Sequence, residues 1–409
     1  MELAEKLKEK LIGGIDLSKD LSDEDLKEII TAMVLEEYSQ QRISLKEKLR
    51  ISRELFHSVR GLDVMQEILE DEDVTEIMVN GYDRIFIEKK GKLYRYQGAF
   101  SSKEKLSDVI QTIVAKTNKR VNEASPIVDT RLPDGSRVNV VLNPIAVRGP
   151  VVTIRKFPKK AMTMEDLIAL GTITSEAAAY LKKLVEGGYN IFISGGTGTG
   201  KTTFLNALTG FIPRNERIIT IEDSAELKIS EIDNLVSMEC RPANIEGENE
   251  ITIRELIKTA LRMRPTRIIV GEVRGPETLD MLQAMNTGHD GSLSTGHGNS
   301  PSDMLTRLET MVLMGTDMPL SAIRAQIASA IDIMIHLGRF RDGSRKVVEI
   351  AEISGYENGA ILLSPLYLYR ETAGSPGRLE ATGNQLKRRK GTRWEDLVLR
   401  EKKEYQQFL

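Results

Sequence analysis

The chain has 409 residues, which at about 150 residues per domain points to two or three domains, and its 57 basic and 60 acidic residues leave a net charge of −3. Apolar residues make up 40% and charged residues 29%; that supports sizeable cores and excludes global disorder, and the balance lacks the basic excess of most nucleic-acid binders. Cys240 is the single cysteine, so an intramolecular disulfide and a Cys-rich zinc site are excluded. Met1 to Lys10 carries charge where a signal peptide needs an apolar core, and no apolar run approaches the roughly 20 residues of a membrane span. A cytoplasmic protein that meets membranes only through partners is the expectation.

Residues 1–65 read as a helical appendage. Ser22 is placed to cap a helix with acids in its first turn, ahead of Leu26, Ile29, Ile30, Met33 and Val34 at helical spacing. Residues 70–157 read as a small α/β domain. Strands are expected at Val74–Val79, Arg84–Glu88, Lys92–Tyr96, Ser136–Leu142 and Val151–Arg155, with a helix near 102–118. Lys156–Lys160 is linker-like. Residues 158–370 alternate helices with short buried strands (Ile191–Ile193, Ile218–Ile221, Arg267–Val270, Ser292–Thr295), which implies a largely parallel sheet with helices on both faces. Residues 371–409 are polar and punctuated by Gly and Pro. They read as a flexible basic connector, with Lys387–Lys390 a solvated charge run, followed by a short C-terminal helix.

The decisive segment is Gly195-Gly196-Thr197-Gly198-Thr199-Gly200-Lys201-Thr202-Thr203. It satisfies G-x-x-x-x-G-K-[ST] between a buried strand and an apolar-periodic helix, the context this phosphate-binding loop requires. Glycines let backbone N–H groups approach phosphate oxygens, and the helix start adds its positive dipole end. Lys201 then supplies a point charge to the β- and γ-phosphates, and Thr202 a hydroxyl to Mg²⁺. ATP and Mg²⁺ are therefore the expected ligands.

Such a loop needs acids at the ends of neighbouring strands. Arg267-Ile-Ile-Val-Gly-Glu272 ends in an acid, with Gly271 where an aspartate is usual, and Ile218–Ile221 runs into Glu222-Asp223. Ligands of open α/β sheets bind at that edge. Glu222 and Glu272 are both expected to be catalytic, with Glu272 touching the metal directly or through water; which one orients the attacking water stays open. His297 follows a strand in Ser294-Thr-Gly-His-Gly. Glycine on both sides argues for a backbone held close to something, and the imidazole is placed to report a γ-phosphate.

Together these motifs resemble the secretion and type IV pilus ATPase superfamily, and most closely its Tad (tight adherence) pilus motors. The resemblance spans about residues 65–370. It rests on Asp73–Gly81, Arg131–Asn139, Thr153–Phe157, the glycine-rich loop, Thr220–Asp223, Gly271–Gly275 and Ser294–His297. It implies a RecA-like P-loop domain preceded by a smaller α/β domain, a homo-hexameric ring, and ATP hydrolysis coupled to pilin movement through inner-membrane platform proteins. It places the chain at the inner face of the cytoplasmic membrane, without direct nucleic-acid contact. A conjugation or type IV secretion ATPase is the alternative within the superfamily, and a RecA-like DNA translocase the more distant one. The resemblance also implies that arginines of the smaller domain serve the phosphates. Arg137 and Arg155 are expected to do so, on the nucleotide of their own chain, with Arg131 and Arg274 as further candidates.

Overall fold

Ser22 opens the first described helix, Asp23–Glu37: its hydroxyl accepts from Asp25 N while the Asp25 carboxylate accepts from Ser22 N, which pairs two of the donors a helix start leaves open. The computed structural model describes residue 11 and residues 22–39, 43–59, 61–117, 119–157, 161–243, 248–372 and 375–388. The chain divides into two units, Met1–Lys159 and Lys160–Leu409. Residues 158–160, within the expected linker, lie outside the described residues, as does the helix expected near the C-terminus. Among the described residues no helix is long and apolar enough to cross a membrane.

In the first unit, the helix Asp23–Glu37 packs on Leu45–Val59 through Leu26, Ile30, Val34, Ile51 and Leu55. A six-stranded antiparallel sheet follows: β1 (Val74–Asn80), β2 (Ile85–Lys89), β3 (Lys92–Arg95), β4 (Ile127–Arg131), β5 (Arg137–Val141) and β6 (Val151–Arg155), in the order β3-β2-β1-β6-β5-β4. Burial alternates along β5 and β6, as a sheet with one covered face requires. Val138, Val140, Val152 and Ile154 share a core with Leu106, Val109 and Ile110 of the helix Lys103–Ala115. β4 escaped the sequence reading because only Val128 and Thr130 point inward from it.

The second unit holds a nine-stranded sheet: β7 (Ile191–Gly195), β8 (Ile218–Glu222), β9 (Leu235–Glu239), β10 (Arg267–Val270), β11 (Leu293–His297), β12 (Ile333–Arg339), β13 (Arg345–Glu357), β14 (Ala360–Thr372) and β15 (Ser375–Ala381). Its order is β15-β14-β13-β12-β7-β11-β10-β8-β9. The strands from β12 to β9 are parallel, and β7, β8 and β10 are buried along their whole length, hence their mostly apolar, isoleucine-rich sequences. Helices such as Ser175–Glu186 and Pro301–Leu313 pack against two separate cores.

The expected parallel sheet is thus extended by three antiparallel strands, β13 to β15. Over residues 375–388, β15 and the segment after it replace the expected flexible connector with fixed structure. Strand pairing and buried carboxylates hold that stretch. Backbone N–H groups of Lys387 and Arg388 donate to Glu352, which is fully buried, and the Arg388 guanidinium donates to Asp332 and to Ala328 O. Two buried acids therefore find donors in a segment whose polarity suggested solvent.

Arg267 opens β10 and is fully buried; its guanidinium donates to both oxygens of Glu216 (2.6 and 2.7 Å) and to Val185 O. Arg267→Met would strand the buried Glu216 carboxylate, and a loss of about 3–5 kcal/mol is expected. Urea unfolding should show it, with most of the loss recovered in Arg267→Met/Glu216→Leu. An unchanged midpoint in the single variant would contradict the pairing.

Candidate functional site

The glycine-rich loop leaves β7 at Gly195 and enters the helix Lys201–Thr209. Gly198 and Gly200 hold left-handed backbone, φ 72° and 92°, a conformation that residues with a Cβ rarely adopt. Six other described helices start on a serine or threonine side chain. The helix at Lys201 starts on Gly200 without a side-chain cap, so its first-turn N–H groups are left for an anion.

Strand order decides what faces this loop. β11 lies beside β7, and β10 beside β11, so His297 and Glu272 arrive at the same edge. The Lys201 amine donates to Gly195 O (3.2 Å) and Gly196 O (3.1 Å), and lies 3.3 Å from His297 Nδ1. An ammonium only donates, so Nδ1 accepts and the ring proton sits on Nε2. His297 Nε2 is 2.7 Å from Glu272 Oε1, close but poorly aligned for a hydrogen bond, since that buried oxygen has no hydrogen-bond partner among the described residues. Burial, with Lys201 and Arg274 nearby, holds the His297 pKa below its ordinary value against the opposing pull of Glu272. Glu272 Oε2 accepts from Arg274 Nε at 2.8 Å, and Glu277 caps the turn by accepting from the N–H groups of Arg274 and Gly275.

Gly271 now has a physical reason. A Cβ there would lie 2.9 Å from Glu222 Cγ, so the Glu222 side chain fills the space that the usual aspartate would need. Glu222 Oε1 accepts from Glu226 N and Leu227 N. Burial nonetheless pushes its carboxyl up to about 7, the two N–H bonds offsetting part of the rise. The glycines flanking His297 are explained likewise: Cβ atoms at Gly296 and Gly298 would come within 2.9 and 3.0 Å of Met304. The backbone here is held close to the helix Pro301–Leu313.

The raised Glu222 pKa has a testable sign. An acid whose folded pKa is about 7 instead of 4.5 holds its proton longer in the fold than unfolded, so stability falls as pH rises through that window. The amide of Glu222→Gln keeps an acceptor for the same two N–H groups and removes the titration. The variant is expected to gain on wild type between pH 5 and pH 8, by on the order of 3 kcal/mol at most. Denaturant midpoints at both pH values measure it, and parallel pH dependences would refute the assignment.

The family model for type II/IV secretion system proteins matches residues 60–360. The chain belongs to this type II/IV secretion family. It is 34% identical over 305 residues to a putative conjugal transfer protein of Mycobacterium tuberculosis, covering 73% of this chain and 86% of that protein. It is 32% identical to the probable conjugal transfer protein TrbB of Sinorhizobium fredii (71% and 86% covered) and 31% identical to the type IV secretion system protein PtlH of Bordetella pertussis (71% and 93%). Among solved structures, the ATPase DotB of Legionella pneumophila aligns with TM-score 0.52 at 22% identity (69% and 78% covered). The pilus retraction motor PilT with bound ADP aligns with TM-score 0.53 at 16% identity (85% and 89%). These structural likenesses carry the mixed α/β fold.

Within this secretion-family chain, Gly195–Thr203, His297 and Glu272 come together, with Glu222 behind Gly271. Arg137 and Arg155 belong to the first unit. There they sit directly opposite one another on β5 and β6, and Arg131 on β4 is opposite Arg137. The three arginines thus share one row of one sheet face; the sequence shows the residues but not the row. Sequence reasoning missed His336 of β12, whose Nδ1 lies 2.9 Å from Ser194 Oγ just before the loop. It carries no motif, and strand pairing alone brings it there.

Proposed function

We propose that this secretion-family protein is a Mg²⁺-dependent ATPase that works as a homo-hexameric motor at the cytoplasmic face of a membrane transfer apparatus. The alignment of Lys201, His297 and Glu272 at the glycine-rich loop carries the reading. Lys201 would pair with the β- and γ-phosphates and His297 would register the γ-phosphate. Glu272 would serve the attacking water, and Glu222, already bonded to backbone, would hold the strand ends in place. Mg²⁺, when bound, neutralises charge on the β- and γ-phosphates. The Thr202 hydroxyl and the Glu272 carboxylate suit it. Arg137 and Arg155 are proposed to meet the phosphates of a bound nucleotide.

The named relatives favour a conjugation or type IV secretion ATPase over the CpaF-type Tad pilus motor suggested by the motifs. Platform membrane proteins are the expected partners in either case. Deleting the gene and measuring conjugative or protein transfer beside surface pili discriminates the two. Lost transfer with pili intact supports the first reading, and lost pili with transfer intact supports the second. Mass photometry of the purified chain with ATP should show a species near six protomers, and a strictly monomeric active enzyme would contradict the ring.

A further inference from the structure

The glycine-rich loop has two flanks, and the site above uses only one. On the other side of β7 lies β12, parallel and in register, with Leu337 opposite Gly195. β12 therefore runs two residues past the point where the loop departs, to Arg339, and β13 returns with Arg345 directly opposite it. The approach is close. A Cβ on Gly195 would lie 2.7 Å from Leu337 O, one on Gly198 3.4 Å from Arg339 Nη1, and one on Gly200 3.6 Å from Arg345 Cδ. Both arginine side chains are exposed and lie against the two left-handed glycines of the loop.

The hairpin that carries them is braced. Phe340 N donates to Ser344 O at 2.8 Å, the Asp342 carboxylate accepts from Ser344 N, and the Phe340 ring packs on Tyr369 with centroids 5.0 Å apart. Two guanidinium groups thus stand directly opposite one another on paired strands, and bracing holds the hairpin beside a loop shaped for phosphate.

We infer that Arg339 and Arg345 bind the α- and β-phosphates of the nucleotide, from the flank opposite His297 and Glu272. The inference rests on the proposed ATPase reading, in which Lys201, His297 and Glu272 mark the γ-phosphate end and leave the β12–β13 flank to the other end of the chain of phosphates. Guanidinium groups suit phosphate oxygens through paired, charge-assisted hydrogen bonds. Contacts to phosphates shared by ATP and ADP bind both nucleotides alike, so these residues would set how long the motor keeps its product.

The test is equilibrium titration with mant-ADP, with unlabelled ATP, pyrophosphate and adenosine as competitors. It compares wild type, Arg339→Gln/Arg345→Gln, the charge-keeping Arg339→Lys/Arg345→Lys, the hairpin-tip control Arg341→Gln and the loop variant Lys201→Ala. The glutamine pair is expected to raise the dissociation constants of ADP, ATP and pyrophosphate together, by about 10–100-fold for two charged hydrogen-bonding groups. The lysine pair should recover part of the loss, and Arg341→Gln should match wild type. The inference is overturned if the glutamine pair binds as wild type does while Lys201→Ala loses affinity, or if it weakens ATP alone. A shift confined to adenosine overturns the phosphate assignment. Absence of ATP and ADP binding by wild type would instead remove the ATPase reading, and this inference with it.

Discussion

Lys201→Ala is expected to abolish ATP hydrolysis and to weaken nucleotide binding by about 10²-fold or more, the loss of one buried charge from a phosphate site being worth roughly 3 kcal/mol. The reason lies in what the amine touches. Lys201 is buried, and its ammonium bridges the Gly195 and Gly196 carbonyls to His297 Nδ1. Without it, phosphates entering the loop would face two carbonyl oxygens with no cation between. Lys201→Arg is not expected to rescue, because a planar guanidinium needs a wider fork of acceptors than this loop end provides. Phosphate release and nucleotide titration measure both effects. Wild-type turnover in Lys201→Ala would end the assignment of this loop as the ATP site.

Glu272→Gln should keep nucleotide binding and lose turnover by about 10²–10⁴-fold, the range of a removed general base. Glutamine keeps the side-chain shape and can still accept from Arg274, so the strand-end turn fixed by Glu277 should survive. What disappears is the charge beside the His297 ring. Glu222→Gln provides the comparison. The Glu222 carboxylate already accepts two backbone N–H bonds behind Gly271, so its amide variant is expected to lose distinctly less. Single-turnover hydrolysis of both variants, alongside titration with a non-hydrolysable ATP analogue, separates chemistry from binding. Equal losses in the two would give both acids the same standing and undo the division of roles drawn from the geometry.

The glycine-rich loop was legible in the sequence because all of its physics is local: a buried strand, a turn needing left-handed glycines and an uncapped helix follow one another within about twenty residues. Glu272, Glu222 and His297 were legible singly, each as a polar residue closing an apolar strand. Their relation was not. The contact between Lys201 and His297, and that between His297 and Glu272, exist because β11 inserts between β7 and β10, and strand order is a long-range outcome that no local pattern records. The same limit hid the reason for Gly271, which is a side chain arriving from β8, and the row formed by Arg131, Arg137 and Arg155. It also hid β15 and the docking of Lys387 and Arg388, whose polar sequence looks solvated until Glu352 and Asp332 are seen to be buried beneath them. Arg339 and Arg345 are the extreme case. Two arginines among 57 basic residues carry no signal, and only the pairing of β12 with both β7 and β13 sets them over the loop. By itself the sequence determined the chemistry of the loop; the tertiary structure decided which charges face it, because non-local strand pairing alone brings distant residues within a few ångströms.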